Sequence, residues 1–254
     1  MPVLPGAEPF SADGGPVGVL LCHGFTGSPA GMRPWAQFLA DAGLTVRVPR
    51  LPGHGTRWQE MQATRWPDWY GALERELLDL RSRCDTVFVM GLSMGGTLTL
   101  RLAEQHGTDI RGIVLVNPSV LSKDVRLKAL PLLRHVVPAF PGIRNDIAKP
   151  DQDEIAYAKA PLQAVHSLTQ LWQLTRDDLG LVSLPLLLLH SAVDHVVEPE
   201  NTDYILAHVD SADREVVLLP DSYHVATLDY DAQTIFDKSL AFVRRLSPEA
   251  GPPP

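Results

Sequence analysis

Six stretches of the chain are apolar at consecutive positions instead of alternating ones: Val17 to His23, Leu44 to Arg50, Thr86 to Gly91, Gly112 to Asn117, Leu184 to His190 and Glu215 to Pro220. Short continuous apolar runs of this kind predict strands buried on both faces. The intervals between them carry a helical period. In "SPAGMRPWAQFLADAG", for example, Ser28 is placed to cap a helix and Pro29 stands at the favoured first position. Strand and helix alternate, which predicts a mostly parallel sheet with helices on both faces.

One interval breaks the rhythm. From Pro118 to about Gly180 there is no convincing strand, only prolines and amphipathic pieces such as "DVRLKALPLLRHVV". This predicts a helical insertion, with Leu127, Leu130, Leu132, Leu133, Val136 and Val137 on the helix side that faces the site. The expected organisation is a core of residues 1–117 and 181–247, an insertion with its return helix at 118–180, and a disordered proline-rich tail at 248–254.

Composition narrows the class. A chain of 254 residues, 45% hydrophobic and 20% charged, is long enough for one sizeable core and predicts one domain. The net charge of -8, without a basic run, argues against a nucleic-acid partner. The longest apolar runs, such as Leu184 to His190, fall far short of the roughly 18 residues of a membrane span. "MPVLPGAEPF" has neither the cationic nor the apolar region of a secretory signal, so a cytoplasmic location is expected. Cys22 and Cys84 both border apolar runs and read as buried, reduced thiols. No Cys/His cluster has metal-ligand spacing, no G-x-G-x-x-G follows a strand and no Walker pattern occurs, so neither metal nor cofactor is expected.

The chemistry enters at "FVMGLSMGGTLTL". Gly91 and Gly95 flank Ser93 in a G-x-S-x-G pattern that follows a strand and opens a helix. Such an elbow strains the backbone to lift a serine hydroxyl above the sheet edge, and only very small residues fit on either side. A serine hydroxyl needs a general base to attack, and the base needs an orienting carboxylate. Asp194 lies just past the fifth predicted strand and His224 just past the sixth. The order Ser93, Asp194, His224 is that of an α/β-hydrolase triad. Asp221 and Asp229 compete for the acid, and His190 and His195 lie beside Asp194. Asp194 is preferred because Asp221 and Asp229 share a loop region with the histidine and read as turn and cap residues.

Two N-H donors are needed for a developing oxyanion. Met94, at the helix start, offers one. Phe25, in the "HGFTGSP" turn after the first strand, offers the other. His23 is expected to brace that loop, and His54 in "LPGHGT" to mark a tight turn. Trp35, Trp58, Trp66, Trp69 and Trp172 are scattered in a way that fits ordinary packing instead of a cage.

These segments, together with "PVLPGAEPF", "DHVVEPENTD" and "SYHVATLDYD", cover nearly the whole chain, and in them the sequence resembles the bacterial carboxylesterase and monoacylglycerol lipase family of the α/β-hydrolase fold, close to the thermostable lipases of Bacillus. The resemblance implies Ser93 as nucleophile, Asp194 as acid, His224 as base, and Phe25 and Met94 as oxyanion donors. It implies a small helical cap at the insertion, whose glutamate contacts a glycerol headgroup. "DEIAYAKAP" offers Glu154 for that contact, and Ile143 is a second candidate for substrate binding. The implied partner is a small ester or lipid.

Overall fold

The computed structural model describes residues 2–247, so the proline-rich tail at 248–254 lies outside the described residues. The main sheet has seven strands: β1 (Phe10–Ala12), β2 (Val17–Cys22), β3 (Thr45–Val48), β4 (Thr86–Leu92), β5 (Gly112–Val116), β8 (Leu186–Ser191) and β9 (Arg214–Leu219). Their order is β1-β3-β2-β4-β5-β8-β9. Every pairing is parallel except that of β1 with β3.

Strand residues divide between two apolar layers, as a pleat requires when both faces are covered. Leu20 and Cys22 of β2 face the same layer as Val87 and Val89 of β4. They meet Leu73, Leu77 and Leu80 of α3 (Trp66–Arg83) and Leu98 and Leu102 of α4 (Met94–His106). Leu168 and Leu171 of α6 (Leu162–Asp178) complete that layer. Val19, Leu21, Phe88 and Met90 face the other side, where Trp35 and Leu39 of α1 (Arg33–Asp41) and Ile235, Leu240 and Val243 of α8 (Ala232–Leu246) cover them. Ser28 does cap this region, accepting the Ala30 N-H, but the first turn is a 3-10 turn over Pro29–Met32 that precedes α1.

Register aligns the carboxyl ends. Cys22 lies opposite Gly91, Leu92 opposite Val116, and Val116 opposite Leu189. The segments that leave β2, β4, β5 and β8 therefore emerge at one edge, where α/β sheets build their sites.

Three expectations are corrected. Strand β1 adds a seventh member to the six read from the apolar runs; it is three residues long and pairs through backbone groups on the edge of β3. Strand β9 is not buried on both faces: as an edge strand it leaves Val216 and Leu218 exposed at 50% and 64%. The interval after β5 is not purely helical. Its antiparallel ribbon joins β6 (Ala139–Pro141) to β7 (Lys159–Pro161). The expected amphipathic helix is reduced to a 3-10 turn at Val125–Ala129 and the four-residue α5 (Leu130–Leu133), because Pro131 sits in the first turn of α5 and cannot continue the preceding turn.

Candidate active site

The elbow is built by close backbone packing. Ser93 adopts φ 57° and ψ −120° between β4 and α4, a left-handed conformation rare for a side-chain-bearing residue. A Cβ on Gly91 would run into the Gly95 carbonyl, and one on Gly95 into the Cys22 carbonyl. The turn therefore tolerates glycine alone at both positions. The Ser93 N-H is tied to the Val116 carbonyl at 3.0 Å, which anchors the turn to the neighbouring strand.

Past β8, Asp194 Oδ1 accepts the N-H groups of Val196 and Val197, each at 2.8 Å. Oδ2 meets His224 Nδ1 at 2.8 Å, and the carboxylate is almost wholly buried. Burial opposes ionisation of Asp194, but the neighbouring imidazole and the two N-H groups outweigh it and hold the carboxyl below its ordinary range. Burial likewise disfavours the His224 imidazolium, yet Asp194 prevails and the imidazole is raised. Of the competing carboxylates, Asp229 is buried and receives the N-H groups of Ala148, Lys149, Tyr223 and Tyr230. Asp221 is exposed. His190 bonds Thr202 Oγ1 at 3.1 Å, and His195 is held by Asp146.

Ser93 and His224 line one pocket of about 240 Å³ together with Gly24, Phe25 and Glu154. No hydrogen bond joins the Ser93 hydroxyl to the His224 ring in this arrangement. Among the described residues, the N-H groups of Phe25 and Met94 have no hydrogen-bond acceptor. The Phe25 loop is braced by His23, whose Nδ1 meets the Gly24 carbonyl at 3.0 Å while Nε2 accepts the Leu51 N-H at 3.2 Å. Burial lowers this imidazole to about 4, so it is neutral at ordinary pH and keeps the tautomer that makes both bonds. His54 is also buried, its Nδ1 on the Pro52 carbonyl.

The interval after β5 supplies the remaining walls. Glu154 Oε1 accepts the Asn145 N-H at 2.9 Å and the Asn145 side chain accepts the Glu154 N-H, while Oε2 takes no hydrogen bond from the described residues. Burial raises the Glu154 carboxyl. Ile143 also lines the pocket. Of the six apolar residues expected there, Leu127 alone does; Leu132 and Val136 are 79% and 77% exposed because the broken helix turns them outward.

Several contributors escape sequence reasoning. Asn117, at φ 44°, links three site loops: its Nδ2 donates to Ser191 Oγ and the His224 carbonyl, and its Oδ1 accepts the Ser191 N-H. Its signal was its place, directly after an apolar strand. Trp172 reaches the pocket wall and donates from Nε1 to Ser119 Oγ at 3.2 Å. Asp146 also lines the pocket, and nothing in its sequence surroundings distinguishes it. Among the described residues, no group of three or more His, Cys, Asp and Glu side chains is arranged to hold a metal ion, and no helix is long and apolar enough to cross a membrane.

The family profile Hydrolase_4, described as serine aminopeptidase, S33, matches residues 17–231. A thermostable monoacylglycerol lipase from Bacillus sp. (strain H-257) is 47% identical over 243 residues, 95% of this chain and 96% of the lipase. A carboxylesterase from Bacillus subtilis (strain 168) is 26% identical over 242 residues, 94% of this chain and 97% of the esterase. A solved structure from work on the metagenome-derived lipolytic enzymes LipS and LipT superposes with a TM-score of 0.93 at 41% identity, over 96% of this chain and all of that one. The profile runs from β2 to the residue before α8 and takes in the elbow and the loops of Asp194 and His224, so the chain belongs to the Hydrolase_4 family and is a serine hydrolase of the α/β-hydrolase fold.

Proposed function

We propose that this hydrolase cleaves monoacylglycerols and short- to medium-chain carboxylic esters through an acyl-enzyme on Ser93, with residues 118–180 forming a cap over the site. The observation that carries the reading is a convergence: Ser93 on a strained elbow and His224, with Asp194 on its Nδ1, open into one pocket. Ser93 Oγ attacks the ester carbonyl while His224 Nε2 takes its proton. Asp194 holds the ring and stabilises the imidazolium. The N-H groups of Phe25 and Met94 receive the oxyanion of the tetrahedral intermediate. His224 then protonates the leaving alcohol, and a water activated by the same ring releases the acid.

The small pocket, with Leu127 and Ile143 in its wall, suits a short or medium acyl chain. Glu154 Oε2 is the acceptor available to glycerol hydroxyls. The similarity to a monoacylglycerol lipase supports this choice of substrate. The buried, unpaired Cys22 and Cys84 support a cytoplasmic location.

The test is hydrolysis of a panel of p-nitrophenyl esters, monoacylglycerols and matched amides by wild type and Ser93→Ala, with fluorophosphonate labelling mapped by mass spectrometry. Ester turnover that vanishes in Ser93→Ala, with label on Ser93 alone, is expected. Full activity in the variant or preference for amides overturns the reading. Glu154→Ala should slow monoacylglycerol turnover roughly 10- to 100-fold, the equivalent of one or two hydrogen bonds to a carboxylate, and spare the ethyl ester of the same acid. Equal losses on both esters remove Glu154 from headgroup recognition.

A further inference from the structure

Asp194 holds the ring of His224, but a second carboxylate holds its main chain. Asp146, within the cap, accepts the His224 N-H on Oδ2 at 3.1 Å, and the Asp146 carbonyl accepts the next N-H, that of Val225, at 3.0 Å. The same side chain reaches the loop of the acid. Its Oδ1 lies 2.8 Å from His195 Nδ1, and its Oδ2 accepts the His195 N-H at 3.3 Å. His195 in turn stands edge-on to Tyr223, the residue before His224, with ring centroids 4.6 Å apart. The side chain of Asp146 is only 12% exposed.

The arrangement joins three segments at one carboxylate: the cap, the residue after Asp194 and the backbone of His224. Neither His224 nor Val225 donates its N-H to the sheet, so the height of the imidazole above Ser93 depends on residue 146.

We propose that Asp146 is a positioning residue for the base, fixing the His224 backbone from the cap and placing a second negative charge beside the imidazolium that forms during acyl transfer. The inference deepens the proposed function and rests on His224 being its base. The charged and titratable groups around the ring are Asp194 from the loop after β8, Glu154 and Asp146 from the cap, and His190 at the end of β8. Both cap carboxylates add to the effect of Asp194 in favouring the protonated ring. A group that only shaped the loop would lack that electrostatic signature.

The test compares Asp146→Asn and Asp146→Glu with wild type on a soluble ester. Asp146→Asn keeps the shape and removes the charge. Its kcat should fall between about 10- and 100-fold with KM little changed, because the imidazolium that forms during acyl transfer loses a preorganised negative charge. The acid limb of its kcat/KM profile should move to lower pH, because the imidazolium loses a stabilising anion. Asp146→Glu keeps the charge but displaces the oxygens, so kcat should fall while the limb stays in place; it carries the test alone if the Asn variant does not fold. Wild-type kcat and limb in Asp146→Asn, a lost kcat with the limb unmoved, or a limb that shifts in Asp146→Glu would each overturn the proposal. His224→Ala separates the two levels: an inactive His224→Ala beside an unaffected Asp146→Asn sinks this inference alone, whereas an active His224→Ala sinks the proposed function.

Discussion

At the elbow, backbone fills the space around Ser93: a Cβ at Gly91 or Gly95 would meet a carbonyl group, and the serine itself is held at φ 57°. The strap of residues 145–149 shares part of this, with Asn145 at φ 52° and Ile147 packed on the apolar core, but hydrogen bonds to carboxylates fasten it. Its own Asp146 receives the His224 N-H, Asp229 receives the N-H groups of Ala148 and Lys149, and Asn145 and Glu154 hold each other. One region places the proposed nucleophile by excluding alternatives sterically. The other holds the proposed base by satisfying buried donors with carboxylates. The first depends on size; the second depends on charge.

The largest effect expected from this contrast is at the elbow. Gly95→Ala adds one methyl against the rigid Cys22 carbonyl and should cost about 4 kcal/mol or more, visible as a collapsed midpoint in urea unfolding or as loss of soluble protein. An unfolding midpoint near that of wild type would show that the elbow relaxes. Next is Asp229→Asn. An amide presents one oxygen and one NH₂ to four N-H donors, which should cost about 3 kcal/mol and open the strap to limited proteolysis between residues 142 and 150. Cleavage elsewhere would place the weak point outside the strap.

A smaller effect is expected at the far end of the elbow helix, where Glu104 is buried with Oε1 unpaired and its carboxyl raised to about 8, chiefly by burial and despite Arg101. The folded state keeps this proton at pH values where the unfolded state, with a glutamate near 4.5, has lost it. Stability should therefore fall as pH rises from about 4.5 to about 8 and level off above, a change of up to about 2 kcal/mol between pH 6 and pH 8. Glu104→Gln should flatten that slope in melting curves; an unchanged slope would assign it to another group. The smallest effect is expected for Leu132→Ser and Val136→Ser, whose side chains already face solvent and should change the unfolding free energy from urea titration by less than about 0.5 kcal/mol.

The same contrast explains what could be read from the sequence. Runs such as Val17–Cys22 and Leu186–Ser191 are apolar on both pleat faces, so their burial was written in composition alone. The elbow was equally legible, because its steric demand leaves a local glycine signature. Asp194 and His224 could be sought just past strand ends. Strand β1 carried no such mark, since its place depends on the free edge of β3. In the cap, which way Leu132 and Val136 point depends on where Pro131 breaks the chain against its neighbours. Asp146 is an unremarked aspartate in "RNDIAKP", whose partners lie 49 and 78 positions away.

The fastening of the strap bears on how such enzymes are redesigned. A cap that only roofed the pocket could be exchanged between relatives at its two junctions to change acyl preference. Here Asp229 and His195 follow β8 while Ala148, Lys149 and Asp146 lie between β5 and β8, and the bonds between them join the proposed cap to the sheet. On the proposed role of Asp146, a transplanted segment that lacks an aspartate at position 146 would carry a new pocket wall and at the same time detune His224 beneath it. The unit of exchange is the cap together with the loops that bear His195, His224 and Asp229.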